Sequence, residues 1–163
     1  MPYAPPGYVV WRDVTQPPYN AKGDGITDDW AAISRAIQES VPGDERCGAQ
    51  CNATSTKGAV IYFPGNRVYR ISQPLVQYYY TSFVGDVENK PVIKPTMDFY
   101  GIGLIDTDFY IPGKDGDEWW INQNNFMRGI RNFVLDMTEM DDYITDGPTN
   151  QQEVCYCKSL HCV

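Results

Sequence analysis

Residues 19 to 38 read Y-N-A-K-G-D-G-I-T-D-D-W-A-A-I-S-R-A-I-Q, a tight glycine turn running straight into a helix start. Asp24-Gly25 is a turn dipeptide, and Gly23 and Gly25 supply the positive φ or the close backbone approach that a Cβ resists. Thr27 stands where an N-cap is expected, and Asp28 and Asp29 place negative charge at the positive end of the helix dipole. Trp30, Ile33, Ile37 and Val41 then fall on one stripe, and Pro42-Gly43 ends the run. The spacing predicts one amphipathic helix over residues 28–41. Three neighbouring aspartates could ligate calcium, but the D-x-D-x-D-G spacing of a calcium loop is absent, and two of them already serve the helix start. No metal is expected here.

The pattern changes on either side of this helix. Upstream, residues 8–14 (Y-V-V-W-R-D-V) are short and β-branched enough for a first strand. Downstream, 43–58 is a polar loop, and then short strand signals follow one another without a helix between them. Ala59 to Phe63 is an apolar run stopped by Pro64-Gly65, 68–72 alternates, and 75–80 is β-branched and aromatic. Residues 81–84 end at Gly85-Asp86, and 91–94 end at Pro95. The spacing is too tight for βαβ units, and two-residue hairpin signals are scarce. A parallel solenoid explains such a pattern, because each coil is built of short strands separated by bends and pairs with its neighbour. A loose repeat supports it: residues 82–86, 103–108 and 132–137 each read as apolar residues ending near an aspartate.

Composition narrows the function classes. The chain of 163 residues is long enough for one domain with a real core, and its 12 tyrosines against 6 phenylalanines favour half-buried, wet surfaces. Net charge is −8, and no two basic residues are adjacent, so the footprint of a nucleic-acid binder is missing. No apolar stretch approaches the roughly 18 residues of a membrane span, and the N-terminus lacks the basic and apolar regions of a signal peptide. Cys47 and Cys51 bracket a short loop and either close a small disulfide or remain free thiols; Asn52-Ala53-Thr54 beside them is a glycosylation sequon. Both are features of secreted proteins.

The segment G-D-G-I-T-D-D followed by A-A-I-S-R-A-I resembles the opening motif of the pectate-lyase-like right-handed parallel β-helix superfamily, in which a short helix covers the N-terminal end of the coil. Further blocks are similar to fungal exo-β-1,3-glucanases of glycoside hydrolase family 55. They are C-G-A-Q-C at 47–51, Y-F-P-G at 62–65, P-L-V-Q-Y-Y at 74–79, G-I-G-L-I-D-T-D at 101–108 and E-W-W-I-N-Q-N-N-F-M-R-G-I-R-N-F-V-L-D at 118–136. The likeness covers residues 7–138. It implies an all-β, right-handed parallel β-helix, incomplete, with a short N-terminal capping helix; residues 139–163 are expected to form a divergent, disordered tail. It further implies an extracellular parent enzyme that hydrolyses β-1,3-glucan from its ends with inversion and needs no cofactor. In that family the general acid is a glutamate of a second β-helix domain, so this chain is expected to be an inactive N-terminal fragment with no catalytic residue of its own. The alternative is a non-catalytic carbohydrate-binding or adhesive module.

Glycoside hydrolysis uses paired carboxyl groups. Asp106, Asp108, Glu118 and Asp136 lie near aromatic residues that could raise a pKa, but an aspartate at a strand end commonly bonds its own backbone, and Glu118 sits in a solvated loop. The best sugar-contact candidates are Trp119, Trp120, Asn122 and Gln123, together with Tyr78, Tyr79 and Tyr80, since aromatic faces cover C–H patches of glucose and amides bond hydroxyls. The competing reading is structural packing and an asparagine ladder. Cys155, Cys157, His161 and Cys162 lack the separated ligand pairs of structural zinc modules, and a misjoined or frameshifted end explains them more simply.

Overall fold

A computed structural model of the chain describes residues 4, 6–39, 46, 57–101, 103–107 and 126–139, and the backbone of 160–161. The strands are β1 (Trp11–Asp13), β2 (Asp24–Asp28), β3 (Ala59–Phe63), β4 (Val68–Ile71), β5 (Leu75–Val76), β6 (Thr81–Gly85), β7 (Val92–Pro95), β8 (Ile105–Asp106), β9 (Gly129–Arg131), β10 (Val134–Leu135) and β11 (Leu160–His161); one helix, α1 (Trp30–Gln38), follows β2. β1-β3-β6-β9 form one sheet, β2-β4-β7-β10 the body of a second, and β5-β8 a third. All of these pairings are parallel. None joins strands adjacent in sequence, so the chain visits the sheets in turn and comes back one layer on. This is the expected parallel β-helix, incomplete and carrying its helix at the N-terminal end. β11 adds to the second sheet by an antiparallel pairing with β10.

Inward positions alternate as a strand's period of two requires. Ala59, Ile61 and Phe63 are buried along β3, and Thr81, Phe83 and Gly85 along β6. The register sets Ile61 beside Phe83 and, in the second sheet, Tyr69 beside Ile93. Phe63 lies at the centre, edge-on to Tyr69 (5.5 Å between ring centroids), Phe83 (6.0 Å) and Phe133 (5.0 Å). Successive coils are thus fastened by an aromatic column as well as by backbone bonds. At two corners between the first and second sheets, Gly65 and Gly85, there is no room for a side chain. A Cβ on Gly85 would stand 2.1 Å from the Asn132 carbonyl oxygen, and one on Gly65 2.1 Å from that of Asn89.

Three sequence expectations are corrected. The helix runs from Trp30 to Gln38, not over 28–41, since Glu39 is already extended, and Thr27 is not its cap. Asp24 takes the Ile26 and Thr27 amides (2.9 and 2.7 Å) and the Thr27 hydroxyl (2.8 Å), which closes a local turn between Asp24 and Asp28, the two residues of β2 that pair with β4. The N-cap position is Asp29, whose side chain makes no capping bond; it is Asp28 that accepts the Trp30 amide on Oδ1 at 3.0 Å and the Ser72 hydroxyl on Oδ2 at 2.7 Å. The first strand shortens from 8–14 to Trp11–Asp13. The strand expected over 75–80 stops at Val76, because the chain turns at Tyr79 and Tyr80, the latter at φ 54°.

The far end of α1 is closed by two arginines that the sequence pattern did not reveal. The last-turn carbonyls of a helix have no partners within it. Arg12, from β1, donates through Nη1 to Ala36 (2.7 Å) and Ile37 (3.3 Å). Arg46 Nη1 donates to Ile37 (3.1 Å) and to the Thr81 hydroxyl (2.9 Å). Both guanidinium groups are buried. Burial lowers Arg46 to about 10, so it stays charged at neutral pH, where a cation complements the negative end of the helix dipole.

Candidate functional site

Of the sugar-contact candidates, Trp119, Trp120, Asn122 and Gln123 lie outside the described residues, as do Asp108, Glu118, Cys47, Cys51 and Asn52. Tyr78 is inside: it is 4% exposed and belongs to the core, so it is not a sugar-facing ring. Tyr79 and Tyr80 are half-buried at the bend before β6.

The acids that are described have structural occupations. Asp136 is held below the usual carboxylate range, first by the Thr138 hydroxyl and amide and then by Lys94, whose ammonium is 3.3 Å away. Lys94 also meets Glu139 at 2.6 Å, and Arg70 meets Glu139 at 2.9 Å. This ladder crosses the outer side of β4 and β7. A carboxyl so placed is ionised at neutral pH and cannot donate a proton to a leaving oxygen. Asp106 ends β8 half-buried, its carbonyl taking the Gln77 amide. Asp29 is the one described carboxyl raised by burial, but it is only 1% exposed and receives the Lys22 (2.6 Å) and Gly23 (2.8 Å) amides. No polymer reaches it there. Among the described residues no group of histidine, cysteine and acid side chains could hold a metal ion.

A different surface emerges on the outer face of the first sheet. The register aligns Trp11 with Val60, Ser82 and Gly129, and Asp13 with Tyr62, Val84 and Arg131. Trp11, on the end strand, is 54% exposed, and its indole stacks on Tyr62 with centroids 5.0 Å apart and planes 28° from parallel. The Tyr62 hydroxyl donates to Asp86 Oδ2 at 3.2 Å. Asp86 Oδ1 is fixed in turn by the Glu88 and Asn89 amides (2.9 and 2.7 Å). Asp13 flanks the pair, its Oδ1 bound by the Thr15 amide and hydroxyl (2.8 and 2.7 Å). The sequence signal was the outward alternation of residues 11–13 and 60–62. What it could not show is that β1 lies at the sheet edge, which is what opens the indole to solvent.

The winding, the N-terminal helix and the aromatic outer face define a pectate-lyase-like β-helix protein. The chain belongs to the rhamnogalacturonase A/epimerase family of pectate-lyase-like proteins, whose family model matches residues 11–161. It is 49% identical over 135 residues (83% of the chain, 14% of the relative) to a probable glucan endo-1,3-beta-glucosidase of Arthroderma benhamiae. It is 38% identical over 134 residues (82% of the chain, 16% of the relative) to a glucan 1,3-beta-glucosidase of Cochliobolus carbonum. It is 47% identical over 140 residues (86% of the chain, 10% of the relative) to a protein named non-secreted LysM effector LysM19 of Penicillium expansum. The resemblance to β-1,3-glucanases read from the sequence blocks is therefore upheld. The chain spans only about a tenth to a sixth of the length of these relatives.

Proposed function

We propose that the chain forms the opening coils of the first β-helix domain of an exo-β-1,3-glucanase and that, by itself, it does not hydrolyse glucan. The observation that carries this reading is its 38–49% identity, over four-fifths of its length, to two proteins named as glucan glucosidases. Two structural features support the second half. Asp136 is committed to Lys94, and Asp29 is sealed inside. The pairing of β11 with β10 is antiparallel, unlike the parallel pairings that build the coils, and so is not that of a further turn of the solenoid. The parent acts on β-1,3-glucan outside the cell, a location supported by the Asn52 sequon and the Cys47–Cys51 loop. The second reading, a non-catalytic glycan-binding module, is favoured by the relative whose name is that of an effector rather than a hydrolase.

The test compares the 163-residue chain with the longer parent on laminarin. Glucose of inverted anomeric form, released by the parent and not by the chain, is the expected result. Glucose release by the chain, lost on changing Asp106 or Asp136, would overturn the assignment of chemistry, and a parent that leaves laminarin intact but binds it would favour the module.

A further inference from the structure

We propose that the β1 edge of the first sheet is a sugar-binding platform, in which the open face of Trp11 stacks on a pyranose ring of β-1,3-glucan while Asp13 and Asp86 lie beside it to accept hydroxyl hydrogen bonds. Most of the other large apolar side chains exposed on the described surface sit in turns and loops, where solvent contact is ordinary: Val87, Met97, Tyr100, Phe126 and Met127. Ile26, on β2, is aliphatic and lies where the pairing of that strand is irregular; Trp11 is different, since it is an aromatic ring on a strand paired in continuous register and is fixed from behind. The support is an unbroken series: indole on phenol ring, phenol hydroxyl on Asp86, Asp86 on two backbone amides. An aromatic face held this rigidly loses little conformational entropy on binding, and binding to a preformed flat apolar surface rimmed by acceptors suits a ring with C–H patches and hydroxyl edges.

Charge selects the kind of polysaccharide. The charges that act on Tyr62, the ring beneath the indole, are the carboxyls of Asp86 and Asp13; Arg12, next along the strand, turns its guanidinium inward to the helix carbonyls, Arg131 stands three strands away, and the whole chain carries −8. A polyanionic pectic chain is repelled by that field, whereas an uncharged glucan is not and finds acceptors in it. The platform rests on the reading of the parent as a β-1,3-glucanase only for the identity of the sugar. It lies on the outer face of the coil and assigns no role in bond cleavage.

The experiment titrates the full chain, with ¹⁵N-labelled tryptophan, using laminarihexaose, and follows the four indole signals, that of Trp11 assigned by its loss in Trp11→Phe. The expected result is a saturable shift of the Trp11 indole with no shift of Trp30. Trp11→Ala should weaken binding about tenfold, the scale of one stacked aromatic contact plus its buried area, at unchanged melting temperature, and Tyr62→Phe should weaken it about two- to fivefold by freeing the ring it positions. Binding that shifts only the other indoles and survives Trp11→Ala would overturn the platform while leaving the glucanase reading intact. Trp11-dependent binding of polygalacturonate in preference to laminarihexaose would overturn the sugar assignment here and in that reading together. Absence of any saturable Trp11 shift overturns the proposal, and this readout on the unmodified chain does not depend on how any variant folds.

Discussion

Asp24, Asp28 and Asp29 fall within six residues of one another and do three different things. Asp24 closes a turn at the surface, Asp28 accepts the first amide of α1 and ties it to Ser72, and Asp29 turns inward to hold the backbone of the glycine turn. Their titrations run in opposite senses. Asp24 is lowered from 3.8 to about 2 by the amides and hydroxyl of its turn, so its contribution to stability is complete above the ordinary carboxylate pKa and is lost as pH falls toward 2. Asp29 is raised by burial, so its folded form binds the proton more readily than its unfolded form, and its contribution is present below the ordinary carboxylate pKa and declines as pH rises above it. Asp24→Asn should therefore flatten the fall of melting temperature between pH 4 and about 2, which a pH series of thermal scans checks. Loss of the Asp28 bonds to the Trp30 amide and to Ser72, in Asp28→Ala, should cost about 0.5–2 kcal/mol, and more than Thr27→Ala, whose hydroxyl meets only Asp24. Equal costs in chemical denaturation would mean that Asp28 does not hold the helix start.

At the scale of elements, the helix depends on what lies under both its ends. Trp30 is half-buried rather than a full core residue, and its indole N–H donates to the Pro74 carbonyl at 3.1 Å, just before β5. At the other end Arg46 spans the helix, the loop carbonyl of Lys57 and the bend at Tyr79, a reach that a single ammonium cannot reproduce. Arg46→Lys should cost more than about 2 kcal/mol, the loss of several buried bonds to a charged donor, measurable by urea unfolding. The sheet corners make a sharper test. Gly85→Ala drives a methyl group into the Asn132 carbonyl and should cost about 3 kcal/mol or more, while Gly103→Ala, with nothing nearer than 3.8 Å, should change stability little. The strands were the legible part of the sequence: β3 was read to the residue, because an apolar run between a glycine and Pro64-Gly65 has few other meanings. The helix start was displaced by two residues because the hydroxyl that marks a cap was already bonded to Asp24, a contact that spacing does not report. Tyr78 read as surface because three tyrosines in a row do not say which one turns inward, and Trp11 passed unnoticed because exposure at an edge is a property of sheet order.

The molecule as a whole is a stack of layers, and the last layer is the least enclosed. β9 ends the first sheet among the described residues, while β10 has β11 beside it. An end strand offers backbone groups to any neighbour with an edge of its own. The chain should accordingly show concentration-dependent association in sedimentation velocity, and a single monomeric boundary at all concentrations would mean that this edge is covered.

The coils are also unequal in the length of chain that separates them. Ala59 meets Thr81 after one short circuit, but Ser82 meets Gly129 only after the chain has run through 86–128. Joining strands across a longer intervening chain costs more loop-closure entropy, which is lost before any pairing is gained. Assembly should therefore be ordered in time, with β3, β4, β6 and β7 closing first around Phe63 and Phe83, and β9 and β10 arriving afterwards with Phe133. In pulsed hydrogen exchange during refolding, the amides of Ile61 and Phe83 would be protected before those of Ile130 and Leu135, so that Phe133 is the last ring of the column to be set in place.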